Sequence, residues 1–552
     1  MNKGVVAGGL LSVLLMVGEV AAAEWRVSKA SWSAEDEAEY GEFVRSIGES
    51  DCNTVTSCLA GPANPYRKTD PKGLRFVADC ADLPYLLRGY FAWKKELPFS
   101  YVNSVYLNSS ADKDPRFSKA GNKVGSRTSV KIGPAGSRTE AVSFLKTIRN
   151  VVSSATFRTS PEFNKYPYSD FYSPEINRES VRAGTVIYDI NGHVAIVYKV
   201  GADGRIYYID AHPDNTLTRS IYGRQIPRTD PALGAGFKNW RPVKVINAER
   251  DDTGAIVSGK ITLAKNENIE DHSTVQYFGT EQNPEKDWQL AEFNYGGQTV
   301  KYYEFVRHAM ADGELVYDPV FELRAMMRGL CQDIQDRGLA VEAAIRQGIH
   351  KKPSPDKLPD NIYGTHGEWE IYSSPSRDAR LKTKFKELRD QIKYFSELYY
   401  AWDSKVVFSG SSLKRALLPV YEMEAEACSY TYTNSSGKAV TLSFQQISDR
   451  LFDLSFDPYH CVERRWGATE RPEVSSCRDG RKKKKWYEAQ QGLRNQIDRT
   501  YDAFMGYTAA ELMQPGGEGK GVSSPPDIDV KSLIESFHVR PVPPGPGQET
   551  ES

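Results

Sequence analysis

Beyond its first two dozen residues the chain lacks any run of about 18 apolar residues, so no later segment is long enough to cross a bilayer as a helix. It also lacks an excess of either charge: 71 Lys and Arg stand against 72 Asp and Glu, a formal net charge of −1. That balance removes the bulk electrostatic reason to expect nucleic acid or an anionic membrane as partner. There is no internal repeat, which argues against a solenoid or propeller. Cysteine is scarce and its count is odd. Seven thiols in a disulfide-permissive compartment leave one outside any pairing scheme, and which one becomes the question.

The 40% apolar and 26% charged composition is that of a folded chain and excludes global disorder. At 552 residues it exceeds what one core organises, so roughly two to four domains are expected. Lys3 precedes an apolar stretch, Val5 to Val20, that ends in Ala21-Ala22-Ala23 before Glu24. This pattern predicts a secretory signal over residues 1–23, cut after Ala23, and a periplasmic or secreted mature chain with no membrane span. No cysteine follows the cut, which argues against a lipoprotein.

Along the chain, Ser33 to Ile47 forms a short acidic helix candidate, and Cys52 and Cys58 bracket a small loop. Asp79 opens a helical pattern in which Leu83, Leu86, Leu87, Tyr90 and Phe91 recur at three- and four-residue spacing. From Thr185 the period changes to two, with runs 185–188, 193–200 and 205–211, the last two joined across Gly201-Ala202-Asp203-Gly204 as a β-hairpin. A composition shift near Asn247 to Gly259 marks a boundary, giving a first domain over residues 24–245. Helices dominate afterwards. Asp318-Pro319 starts one with Val320, Leu323, Met327, Leu330 and Ile334 on one face, and Leu381 to Trp402 carries a long apolar stripe with Leu493, Ile497, Tyr501 and Phe504 as its expected partner. The expectation is α+β overall: a mixed first domain, a mostly helical accessory domain over 246–514, and a Pro- and Gly-rich disordered tail over 515–552.

Cys80 differs from the other cysteines by position. With Asp79 as N-cap it falls in the first turn of a helix, where unbonded N–H groups and the helix dipole favour a thiolate. A nucleophilic thiol needs a base, and His193 opens a strand after the Asn191-Gly192 turn. If the hairpin loop closes with an even number of residues, Asp210 and His212 project on the same face as His193. A four-residue loop sets His212 opposite His193 and Asp210 opposite Ala195, and either side chain could orient the imidazole as the third group of a triad. Asp79, Asp82 and Tyr66 are candidate substrate contacts. Local spacing pairs Cys52 with Cys58 and Cys461 with Cys477, leaving Cys331 with Cys428 and Cys80 free. His193, Asp210, His212 and Asp214 have ligand types that suit zinc, but no helix-borne H-x-x-x-H supports them, so neither metal nor cofactor is expected.

Residues 76–99, FVADCADLPYLLRGYFAWKKELPF, resemble the nucleophile helix of the NlpC/P60 cysteine peptidases, part of the papain-like group. Residues 181–212, VRAGTVIYDINGHVAIVYKVGADGRIYYIDAH, resemble that family's next strands. The resemblance implies a papain-like fold for the first domain and cleavage of amide bonds in cell-wall peptides, with Cys80 as nucleophile, His193 as base and His212 or Asp210 third. The family usually follows its cysteine with Ser-Gly where this chain has Ala81-Asp82, and an insertion around residues 108–170 separates Cys80 from His193. Cys80-x-Asp82 with His193 and Asp210 also looks like bacterial transglutaminase-like proteins. The expected activity is therefore a secreted cysteine hydrolase acting on peptidoglycan stem peptides or other peptides, with transglutaminase-like acyl transfer or a noncatalytic wall-binding adaptor as alternatives.

Overall fold

A computed structural model describes residues 23–281, 285–364, 367–499 and 503–540. All of the signal segment but Ala23, and residues 541–552 of the tail, lie outside the described residues. The chain mixes helices and strands, as an α+β protein does.

Six short segments rich in β-branched and aromatic residues build the central sheet: β1 Phe171–Tyr172, β2 Val186–Asp189, β3 His193–Val200, β4 Ile206–Ala211, β5 Leu217–Ile221 and β6 Gly236–Trp240. Their order is β1-β6-β2-β3-β4-β5, and every neighbouring pair is antiparallel. Strand β3 is buried on both faces. Val194 and Ile196 join a core with Phe43, Val44 and Ile47 of helix α1, Ala34–Glu49, and with Leu83, Leu86 and Phe91 of helix α2, Asp82–Lys94. Ala195 and Val197 join a second core with Phe305, Val306 and Met310 of helix α3, Tyr302–Met310. The sheet is thus a layer between two sets of helices, and its ends are the places where polar side chains reach space.

The β3–β4 hairpin differs from expectation in one detail that leaves its outcome intact. Its loop, Gly201–Arg205, holds five residues rather than an even number, and a bulge at Tyr198 supplies the compensating residue. Beyond the bulge Ile196 pairs with Ile209. Continuing that register places Ala195 opposite Asp210 and His193 opposite His212.

The first region extends farther than residue 245. Strands β7, Val243–Arg250, and β8, Ile256–Leu263, form a hairpin whose Val245 and Ile256 enter the first core, and α3 then covers the sheet. The charged run Glu249-Arg250-Asp251-Asp252 is the end and turn of this hairpin, not a linker. The helical region follows, with α4, Pro319–Arg346, α5, Pro375–Tyr400, and α6, Leu413–Ala427, sharing a core of Leu323, Met327, Ile334, Phe385, Ile392 and Leu417. Asp318 caps α4 and Pro319 sits in its first turn, as the sequence indicates.

Two expectations for the C-terminal part are corrected. The stretch from Leu493 to Phe504 is not the partner of α5: its helix stops at Asn495, Phe504 is 58% exposed, and Arg499 is drawn away into an ion pair with Asp189. Tyr501 lies outside the described residues. Nor is the tail structureless from Pro515. Helix α7, Val530–Glu535, places Val530 and Ile534 in the core of α4–α6, followed by Phe537. Those three residues fall at i, i+4 and i+7, an apolar stripe hidden within a Pro- and Gly-rich composition.

The three disulfides are Cys52–Cys58, Cys331–Cys428 and Cys461–Cys477, and Cys80 is free. Such pairs form in oxidising compartments. Among the described residues no helix is long and apolar enough to cross a membrane.

Candidate active site

The turn before α2 shows how a helix start positions a thiol. Asp79 Oδ1 accepts the N–H groups of Ala81 at 2.9 Å and Asp82 at 3.1 Å, and the Asp79 N–H donates back to Asp82 Oδ2 at 3.4 Å. These are the reciprocal bonds of a capping box, made in the turn ahead of the helix: α2 begins at Asp82 with Ala81 as its N-cap, so Cys80 precedes the helix instead of lying in its first turn. The main-chain oxygen of Asp79 takes the N–H of Leu83. The N–H of Cys80 is the amide of this turn that Asp79 leaves unengaged. Half-buried, Cys80 lies where α2 meets the end of β3: its sulfur is 3.9 Å from the Gly192 carbonyl oxygen, and the Val194 N–H hydrogen-bonds toward it. Gly192 has φ of +81°, and a side chain there would press on Phe117, so glycine suits the turn that brings His193 to the rim.

His193 Nε2 is 2.5 Å from Asp210 Oδ2, with the two side chains 15% and 3% exposed. Because an ionised carboxylate only accepts, Nε2 carries the proton and Nδ1 is left to receive one. The other oxygen of Asp210 accepts from Thr218 Oγ1, held opposite it by the β4–β5 register. His212 completes a chain behind the pair: its Nε2 is 3.0 Å from Thr218 Oγ1 and 3.6 Å from Asp210, and its ring stacks on His193 with centroids 5.9 Å apart. Of the two candidates for third member, Asp210 holds the imidazole and His212 buttresses Asp210 through Thr218.

The sulfur makes no hydrogen bond to the His193 ring; it lies against the main chain on either side of that residue. The ring alternates with Ala195 and Val197, which belong to the core opposite the one α2 enters. Thiol and imidazole therefore reach the rim from different faces of the sheet. Catalytic hydrogen bonds are often long before substrate binds.

Burial sets the resting protonation states. It pushes the Cys80 thiol well above its ordinary value, and the charges of Asp79, Asp210 and Asp82 push the same way against the Val194 N–H. The expectation that the helix start favours a thiolate is thus reversed at rest, because the carboxylates that cap the helix also face the sulfur. Burial lowers the His193 imidazole, assisted by the charge of Arg380 and opposed by Asp210. Burial would raise Asp210, but His212 and His193 together hold its carboxyl well below the usual range. Burial and the charge of Arg377 push His212 well down. At neutral pH the centre is a thiol, two neutral imidazoles and a carboxylate.

The proposed substrate contacts fare differently. Asp79 and Asp82 are occupied in the capping box, and Asp82 is buried with its carboxyl pushed up to about 9, by burial first and then by Asp79. Tyr66 is far from the centre: its ring packs on Phe43 and on Phe91, which lies some three turns along the helix from Cys80. Asp214 accepts from Thr216 in its own turn and does not join His193, Asp210 and His212 as a metal ligand.

Five side chains at the site had no place in the sequence reading. Asp189 pairs with His193 across β2–β3 and is bound 2.6 Å away by Arg499, both nearly fully buried. From α5, Arg377 and Arg380 face Asp210 and His212 across a small cavity. No spacing signal links residues so distant in sequence. Thr218 is different, since recognising Leu217–Ile221 as the next antiparallel strand would have set it beside Asp210.

Compared with known proteins, the chain matches no family model, no curated protein and no solved structure.

Proposed function

We propose that the chain is a secreted cysteine hydrolase of papain-like type that cleaves amide bonds, with Cys80 as nucleophile, His193 as general base and Asp210 as the group that orients it. The observation that carries this reading is the His193–Asp210 hydrogen bond at the strand end against which the one free cysteine rests. In the proposed reaction, Nδ1 of His193 removes the thiol proton, the thiolate adds to the amide carbonyl, and the Cys80 N–H supports the developing oxyanion. The protonated imidazole then gives its proton to the leaving amine. Water, deprotonated by the same nitrogen, attacks the thioester and releases the acid and the thiol.

Neutral partners at rest are compatible with this sequence, because the proton moves when the carbonyl is in place and no standing ion pair is required. The three disulfides support an oxidising compartment, and peptidoglycan stem peptide is the substrate class the sequence resemblance supplies. Acyl transfer to an amine stays as a second reading, because a carboxylate on the imidazole also suits a Cys-His-Asp transferase.

Purified sacculi incubated with wild type and with Cys80→Ala, followed by mass spectrometry of released fragments, test the proposal. New fragments dependent on Cys80 are expected. Identical profiles would sink hydrolysis of that substrate, a mass gain on an added amine would favour transfer, and wall capture without cleavage would favour an adaptor.

A further inference from the structure

The cavity between the sheet and the helical region has a volume of about 40 Å³. That is room for two or three waters or one planar carboxylate. Its charged lining is almost entirely paired. Asp210 takes His193 and Thr218, Asp333 takes Lys384, Asp336 takes Gln332, and Arg337 takes Asp378. Arg377 and Arg380 are the exceptions: neither forms a hydrogen bond or ion pair among the described residues, and Arg380 Nη1 is fully buried without a partner.

A guanidinium donor withdrawn from water without a partner, as Arg380 Nη1 is, is costly, and the partly exposed Arg377 adds a second like charge three residues away on the same helix. Their forked donors match a carboxylate in shape as well as charge. Both are electrostatically coupled to the candidate centre, Arg380 to His193 and Asp210, Arg377 to His212. The neighbouring carboxylates do not supply the missing acceptor, since their own donors come from elsewhere.

We propose that Arg377 and Arg380 form a carboxylate subsite, contributed by the helical region to the Cys80–His193–Asp210 centre, that selects peptides bearing a free carboxylate near the reacting amide. The inference rests on the acyl-chemistry reading above for its purpose, though not for its test. It gives the helical region a direct role: the sheet region carries the reacting groups, and α5 supplies the recognition. Burial pushes the Asp336 carboxyl up to about 7, so the cavity gains positive character, and the subsite tightens, as pH falls through neutrality. Facing Asp336 are Asp210, His212 and Arg219 from the sheet side and Arg377, Arg380 and Lys384 of α5, with Gln332, Asp333 and Arg337 on its own helix.

The test is calorimetric titration of full-length Cys80→Ala protein, which cannot turn over, with N-acetylglycine and with its uncharged counterpart N-acetylglycinamide. Saturable binding of the acid at one site is expected, at least tenfold tighter than the amide, and weakened at least tenfold by Arg377→Gln or Arg380→Gln. Inorganic phosphate in place of the acid should bind more weakly; tighter binding of phosphate would overturn the assignment to carboxylate. Equal heats for acid and amide, or unchanged affinity in both folded Gln variants, would overturn the subsite. Should either variant fail to fold, the acid–amide comparison on Cys80→Ala decides alone. Because no turnover is read, failure here is distinct from failure to cleave sacculi.

Discussion

In the interior of the helical region Arg337 lies against Asp378, both side chains about 1% exposed, and its guanidinium also donates to the carbonyls of Ser455 and Arg465. On the same helix as Asp378, Arg377 and Arg380 turn the other way, toward the sheet, and have no partner. The two regions obey the same electrostatics with opposite outcomes. Inside the bundle the buried Arg337 charge is matched by Asp378, although its Nη1 has no hydrogen-bond partner. Facing the sheet, Arg380 keeps a buried donor without a partner, and on the other side of the sheet Cys80 is without a disulfide and Asp82 has a buried oxygen without a donor. A buried charge with no counter-ion marks a place open to a ligand, whereas a matched one marks architecture.

The contrast can be broken by substitution on either side. The largest effect is expected from Cys80→Ala, which should lower Cys80-dependent fragment release by about 10⁴-fold or more while leaving the melting temperature near that of wild type. Next, Asp378→Ala should destabilise the fold by about 3–5 kcal/mol in denaturant titrations, because Arg337 would be left buried and uncompensated. A change below 1 kcal/mol would show that the bundle does not depend on its buried pair.

A smaller effect is expected from pH. His193 and His212 have folded values lowered from about 6.5, so the unfolded chain binds protons that the native state refuses. Their neutral forms stabilise the fold fully above about 6.5, and that contribution is lost as pH falls toward the lowered folded values. Denaturation midpoints should drop over that window in wild type and drop less in His212→Gln. The smallest effect belongs to the exposed pair Lys199–Glu49, 2.9 Å apart with both side chains nearly half exposed. Glu49→Gln should change stability by no more than about 0.5 kcal/mol, vanishing in high salt.

Local features of the site were legible in the sequence because they depend on neighbours in the chain. Asp79 before Cys80 announced a helix start, the period-two runs announced β3 and β4, and short spacing named two disulfides from which the third followed. Continuing the register gave the face shared by His193, Asp210 and His212 even though the loop has five residues, since the bulge at Tyr198 restores the alternation. What escaped depends on tertiary partners. Arg499 leaves the expected helix for Asp189, and Arg377 and Arg380 reach the site only because α5 packs across the sheet. The choice between Asp210 and His212 needed Thr218, which occupies the second oxygen of Asp210 and ties His212 behind it. The reversal at Cys80 is instructive too: the acidic cap that shapes the helix also disfavours the thiolate.

The central claim is that Cys80, His193 and Asp210 act as one unit. Its most direct measurement is the rate of iodoacetamide alkylation of the native, non-reduced protein as a function of pH, followed by peptide mass spectrometry. Wild type should take a single label, on Cys80, slowly at pH 7 and faster as pH rises, because burial, Asp79, Asp210 and Asp82 hold the resting thiol protonated. His193→Ala should keep the label at alkaline pH and lose Cys80-dependent fragment release. An unlabelled Cys80, or fragment release in His193→Ala equal to that of wild type, would contradict the account.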